Sequence, residues 1–304
     1  MSRIHEALKK AAEERSIQLA VGSEAGVREV AGETRGSVTE TYTPGLPLIP
    51  PRIVAGGHQA TPLRYEELVM RCAHPEWRLD PLKNVFQDSI VGHAVSERFR
   101  TLRSRLYQIA STRTLRRLLI TSSVAGEGKS FVTSNLAQSI VQQPDLRVLL
   151  VDADMRASRL HTTLGASNRP GLSEYLRGEA NEFEVAQKGM EKNLFLIPGG
   201  SQVSNPSELL LGERMRQLLD RFTPMFDWII IDSPPAMPVH DASILADLTD
   251  GVLLVVQAGS THVEIAEKTA AEFQGKNLLG VVLNQVEKHD SYGDYHYGYR
   301  ADGD

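Results

Sequence analysis

The sequence predicts an α/β fold in which a mostly parallel β-sheet carries helices on both faces, with a disordered linker before it and a disordered C-terminal tail after it. Three observations predict it. From about residue 95, continuous apolar runs alternate with stretches of helical period, as expected of strands buried on both faces and joined by crossover helices. Residues 17–62 have no period, and the stretch TYTPGLPLIPPRIVAGG is dense in Pro and Gly; such a composition cannot bury enough apolar surface to offset chain entropy. The last 16 residues, HDSYGDYHYGYRADGD, are polar and equally without an apolar period.

Taken in order, residues 3–15 read as a short helix, with Ile4, Leu8 and Ala11 on one side and Glu6 four residues before Lys10. A helix of this length needs something to pack on, so it is either a docking helix or a solvated terminus. The expected plan is this helix (1–16), a linker (17–90), a folded domain (91–288) and a tail (289–304). Within the linker, WRLDPL reads as an extended segment laid against the domain that follows. The domain opens on the helical stretch VSERFRTLRSRLYQIA. The expected strands are RRLLITSS, RVLLVDAD, LFLIPGG, DWIIIDSP, GVLLVVQAG and LLGVVLNQ, and the expected helices span 129–143, 206–222, 239–248 and 261–274.

The chain of 304 residues is 41% apolar and 23% charged, ordinary for a globular protein. Its net charge of -5 argues against non-specific nucleic-acid binding, which needs a basic excess. Cys72 is the single cysteine, so no internal disulfide forms and a reducing compartment is expected. No apolar run approaches the roughly 20 residues of a membrane span, and the charged N-terminus has no signal-peptide core. The expected location is the cytoplasm.

Three motifs carry chemistry. SSVAGEGKS, residues 122–130, lies between an apolar strand and a helical pattern. It departs from G-x-x-x-x-G-K-[ST] only at Ser123, which stands where the first Gly would be. Gly126 and Gly128 let backbone amides turn inward round a phosphate at the positive end of a helix. Lys129 can reach the β- and γ-phosphates, and the Ser130 hydroxyl can ligate Mg²⁺. Glu127 and Phe131 complete the candidate nucleotide-binding loop. In LLVDADMR, Asp152 and Asp154 end a strand, at the rim where open α/β sheets bind ligands; strand-ending Asp residues also cap turns. In WIIIDSPP, Asp232 follows four apolar residues, the arrangement that holds Mg²⁺ directly or through water. With these motifs the fold class becomes P-loop NTPase-type, with ATP and Mg²⁺ as expected cofactors.

These residues resemble the bacterial tyrosine kinases associated with exopolysaccharide synthesis. The family's second motif, D-x-D-x-R, is matched by Asp152, Asp154 and Arg156, and its third by Asp232 to Pro235. Its E-x-x-R-x-x-R helix, used for ring assembly, is matched by Glu97, Arg100 and Arg103; the bare alternative is a solvated helix face. Tyr292, Tyr295, Tyr297 and Tyr299 are half of all eight tyrosines, gathered where a ring gains no burial, and the resemblance makes them phosphoacceptors. It covers roughly residues 95–304, and the opening SRIHEALKKA is also similar to such kinases. Ala125 and Phe131 replace residues that are often Pro and Thr, and RASRLH follows the second motif where a Pro is common.

The resemblance implies phosphoryl transfer from Mg·ATP to a tyrosine of a neighbouring subunit. Lys129 would hold phosphate, Ser130, Asp152 and Asp232 the metal, and Asp152 would orient or deprotonate the phenol, with Asp154 assisting at the metal. It further implies a homo-oligomeric ring, a membrane polysaccharide co-polymerase or activator as partner, and recruitment through that partner to the inner face of the membrane. Two rival readings stand beside it. A ParA/MinD-like switch ATPase would carry a signature lysine where this chain has Val124. An ATP-binding adaptor with weak catalysis would act through its N-terminal helix. Asn284, ending the last strand, either touches a bound adenine or caps a turn.

Overall fold

A computed structural model describes residues 63–86, 92–189, 193–237 and 239–286. The expected N-terminal helix and the tail tyrosines lie outside them. Each apolar run of the sequence becomes a strand of one sheet: β1 (Arg117–Ser122), β2 (Val148–Asp152), β4 (Leu194–Ile197), β5 (Trp228–Asp232), β6 (Gly251–Gln257) and β7 (Leu278–Asn284). These six are parallel in the order β4-β2-β5-β1-β6-β7. A seventh strand, β3 (Gln187–Lys188), pairs antiparallel on the outer edge of β4. Two polar residues offered no apolar run by which to foresee it.

Successive side chains of a strand alternate between faces, so each central strand feeds two cores. Leu119, Leu149, Val151, Ile229 and Ile231 point to one; Leu118, Ile120, Leu150, Trp228 and Ile230 point to the other. The second face is covered by α2 (Gly92–Ala110), α3 (Lys129–Val141) and α4 (Leu160–Leu164), through Phe99, Leu106, Leu136, Ile140 and Leu160. The first is covered by α5 (Leu172–Arg177), α6 (Glu182–Val185), α7 (Pro206–Leu211), α8 (Glu213–Phe222), α9 (Asp241–Ala246) and α10 (Val263–Phe273). Each fully buried Leu or Ile is worth about 1.5–3 kcal/mol, and this two-sided burial is what requires the continuous apolar runs. Among the described residues no helix is long and apolar enough to cross a membrane.

Two expectations change. The single helix expected over 206–222 is two, because Gly212 adopts an extended conformation (φ -65°, ψ 151°) between α7 and α8. Residues 63–86, assigned to the linker on composition, are built into the sheet's surroundings. Helix α1 (Tyr65–Arg71) buries Leu68 completely, Ala73 bridges to β3, and Trp77 sits so close to Gly189 that a Cβ there would come within 2.6 Å of its ring. The WRLDPL segment does lie extended against the domain, with Asp80 N–H donating to Thr163 O. Residues 63–86 therefore belong to the folded part, which does not wait until 91. α1 has one fully buried residue in seven, too little periodicity to read without its tertiary contacts.

Candidate active site

The loop between β1 and α3 turns on two glycines held at positive φ, Gly126 at 90° and Gly128 at 89°. That region is open to glycine and costly to other residues. A Cβ on Gly126 would meet nothing within 4 Å, whereas one on Gly128 would lie 2.1 Å from Asn284 Nδ2. The loop is pinned from three sides. Asn284 Nδ2 donates to Glu127 O (2.9 Å) and Gln285 Nε2 to Gly126 O (3.2 Å). The buried Glu127 carboxylate accepts Val124 N–H (2.8 Å), Gln257 N–H (3.2 Å) and the Thr261 hydroxyl (2.5 Å). Glu127 thus ties the loop to the end of β6 with its side chain. Phe131 packs edge-on against Phe99 of α2 (centroids 5.9 Å apart).

The carboxylate motifs arrive at the same rim because β1, β5 and β2 are neighbours. Asp152 and Asp232 are direct register partners at the ends of β2 and β5, and both are fully buried. Ser130 Oγ donates to Asp232 Oδ2 (2.5 Å) and Thr133 Oγ1 to Asp232 Oδ1 (3.2 Å). Lys129 Nζ lies 2.9 Å from Asp154 Oδ2. Sequence reading missed Thr133, a second hydroxyl on Asp232 one helical turn from Lys129.

Burial pushes Asp152 and Asp232 well above the usual carboxylate range, each reinforced by neighbouring carboxylates and opposed by hydrogen bonds, and for Asp232 also by Lys129. Burial works against the Lys129 ammonium, but Asp232, Asp154 and Asp152 more than offset it and hold the lysine above its ordinary value. One lysine among three buried carboxylates leaves negative charge that low dielectric makes expensive.

Does this site suit a nucleotide and a divalent cation? Three features fit. The loop runs into the N-terminus of α3, whose unpaired amide N–H groups favour an anion. Ser123, fully buried at the loop's first position, has a hydroxyl with no hydrogen-bond partner, an orphan that calls for an explanation. The donor set of Ser130 and Asp232 is all oxygen, suited to Mg²⁺, which takes one or two protein ligands and completes its shell with phosphate and water. Among the described residues no group of three or more His, Cys, Asp or Glu side chains forms a metal site by itself. Beside the loop, α2, α3 and the end of β7 enclose a cleft of about 130 Å³, its apolar walls formed by Val95, Phe99, Leu102, Phe131, Val282 and Val286.

Other predicted residues fall elsewhere. Arg156 leaves the rim: Nε donates to Asp241 Oδ2 (2.8 Å), and Nη2 to Asp241 Oδ1 (3.3 Å) and Ser207 Oγ (3.1 Å). It thereby fastens the loop after β2 to α7 and α9. Asp241 lies 85 positions away, beyond the reach of local pattern. On α2, Glu97 and Arg100 pair with each other on the exposed surface, and Arg103 donates to Ser139 O at the far end of α3. The three do not act as one group within the chain.

The chain matches the family model described as an AAA domain over residues 116–272. It is 36% identical over 204 residues to the tyrosine-protein kinase YwqD of Bacillus subtilis (strain 168), covering 66% of this chain and 86% of that protein. It is 34% identical over 212 residues to the tyrosine-protein kinase wzc of Salmonella typhi, where the match covers 68% of this chain but 29% of the relative. Among solved structures, the kinase domain of the Escherichia coli tyrosine kinase ETK superposes with a TM-score of 0.59 at 34% identity, over 65% of this chain and 80% of that one.

Proposed function

The chain belongs to the bacterial tyrosine-protein kinase family, and we propose that it transfers the γ-phosphoryl group of Mg·ATP to tyrosines of its own C-terminal cluster, in trans between subunits. The observation that carries this is the convergence of Lys129, Ser130, Asp152, Asp154 and Asp232 on one buried rim. In this reading the loop amides and Lys129 hold the phosphates, and the apolar cleft beside Asn284 takes the base. Ser130 and Asp232 hold the metal, which when bound neutralises charge on the transferring group. Asp154 keeps Lys129 charged and in place. Asp152 accepts the phenol proton as the oxygen–phosphorus bond forms and ADP departs. A phenol with a pKa of about 10 needs less help than an alcohol would, so positioning supplies most of the catalysis.

Tyr292, Tyr295, Tyr297 and Tyr299 are the proposed acceptors. Each phosphate adds about 1.5 to 2 negative charges to a segment that already holds Asp290, Asp294, Asp302 and Asp304. Repulsion from the acidic rim then releases the tail and loosens the assembly. The proposed assembly is a ring built through Glu97, Arg100 and Arg103 of α2. The proposed partner is a membrane protein of exopolysaccharide or capsule synthesis that holds this chain at the inner face of the membrane.

Mass spectrometry of the protein after incubation with Mg·ATP tests the reading, beside Lys129→Ala and a variant with all four tail tyrosines changed to Phe. Phosphate on the tail tyrosines that disappears in Lys129→Ala supports it. Phosphate release without phosphotyrosine moves the assignment to a switch ATPase, and ATP binding without turnover to an adaptor.

A further inference from the structure

The carboxylate proposed to face the phenol is held by a device of its own. Asp152 Oδ2 accepts three hydrogen bonds: from Ser158 Oγ (2.7 Å), Arg159 N–H (3.1 Å) and Leu160 N–H (3.1 Å). Asp152 Oδ1 accepts one, from Asp154 N–H (3.2 Å). A carboxylate offers about four acceptor positions, two on each oxygen. Oδ2 is thus saturated, and Oδ1 keeps the vacant position, on the side of Asp154 and its partner Lys129.

Ser158 is held in turn. Its Oγ lies 3.1 Å from His161 Nδ1 and 3.2 Å from Asn168 Oδ1. A hydroxyl has one proton, and the shorter contact, to an ionisable acceptor, takes it. His161 Nδ1–H then donates to Ser158 Oγ, and Thr162 Oγ1–H donates to His161 Nε2 across 3.2 Å. Burial and the neighbouring Arg159 lower the His161 pKa, which favours the neutral ring this chain of donors needs. The seat is also closed sterically: a Cβ on Gly199 would lie 2.8 Å from both Cβ and Oγ of Ser158.

We propose that Ser158, backed by His161 and Gly199, is a positioning residue that saturates Asp152 Oδ2 and so presents Oδ1 alone to the acceptor phenol. The inference rests on the kinase reading. It concerns Ser158, in the stretch RASRLH that follows the second motif. Ser158 touches neither nucleotide nor phenol and acts through Asp152.

The test uses the full chain with Mg·ATP, comparing wild type with Ser158→Ala, Ser158→Cys and Gly199→Ala. Initial rates of tail tyrosine phosphorylation are read by mass spectrometry, ATP affinity with a fluorescent analogue, and folding by thermal melting. Misplacing a reacting group by a fraction of an ångström costs from about tenfold to a hundredfold in rate, and that loss is expected for Ser158→Ala and Gly199→Ala with ATP affinity unchanged. Ser158→Cys, close in size with a weak donor, is expected between them and wild type and serves if Ser158→Ala does not fold. A wild-type rate in Ser158→Ala, or ATP affinity falling in parallel with rate, overturns the inference while the kinase reading stands. A wild-type chain that makes no phosphotyrosine removes both.

Discussion

Lys129 and Asp154, one from the phosphate loop and one from the carboxylate motif, form a buried ion pair with Nζ 2.9 Å from Oδ2. The pair joins two motifs that lie on different strands and gives the rim its one lysine charge. Removing one member of a buried pair is costly because the other stays behind uncompensated, about 3–5 kcal/mol. Lys129→Met is therefore expected to lose phosphotyrosine formation and also to unfold earlier in urea. Adding Asp154→Asn should recover much of the stability and none of the activity. Recovery of activity in the double variant would show that Lys129 serves only to balance Asp154.

Arg156 and Asp241 form a second pair, here between an exposed arginine and a fully buried carboxylate. Arg156→Ala leaves that carboxylate with Ser207 alone as a side-chain hydrogen-bond donor. A loss of about 1–3 kcal/mol is expected, the cost of a buried acceptor left short of partners, which in a domain of this size lowers the melting temperature by roughly 2–12 °C. Asp241→Asn in the same chain should restore part of it, as read by calorimetry.

The loop's glycines differ in what they tolerate. Gly126→Ala places a methyl in open space and bears only the strain of positive φ, about 1–2 kcal/mol. Gly128→Ala bears the same strain and also drives Asn284 from its hydrogen bond to the loop. ATP affinity is expected to fall more for Gly128→Ala than for Gly126→Ala. Asn284→Ala should narrow the gap when added to the former, and equal affinities in the two single variants would contradict the clamp.

Glu174 gives a pH signature away from the active site. Burial raises its pKa, but the Ser201 hydroxyl, with the amides of Gly171 and Ser201, outweighs burial and brings it from 4.5 down to about 2. A carboxyl depressed in the folded state contributes stability that is complete above its unfolded value and lost as pH falls through the folded one. Urea midpoints are therefore expected to drop between about pH 4.5 and pH 2. Glu174→Gln should be less stable at pH 7 and show a shallower acid slope over that window.

The nucleotide loop and both carboxylate motifs were legible because the chemistry restricts residue type and spacing: glycine where φ is positive, Lys and Ser at the helix start, Asp where an apolar strand ends. β2, β4, β5 and β6 were legible because burial on both faces favours a continuous apolar run; β1 keeps its apolar run in Leu118, Leu119 and Ile120, and β7 was legible from its Leu and Val residues although Val281 and Leu283 are half exposed. Elements held by few local contacts were not. α1, α4, α5 and α6 each span seven residues or fewer, shorter than two helical turns, and form because Leu68, Leu160, Tyr175 and Val185 find partners distant in sequence. β3 forms only through its pairing with β4 and its bridge to Ala73.

Within the site the division is finer. Sequence by itself determined the composition of the rim, since a motif is a list of residue types at short spacing. Tertiary structure alone decided which atoms are left to react. Glu127, read as a nucleotide contact, spends its carboxylate on Val124, Gln257 and Thr261. Arg156 turns to Asp241, and Ser158 takes one face of Asp152 so that only Oδ1 stays open. Asp241 lies 85 positions from Arg156 and Thr261 134 from Glu127, and only the folded chain brings those pairs within 3 Å; Ser158 is six positions from Asp152, and the turn after β2 sets its direction.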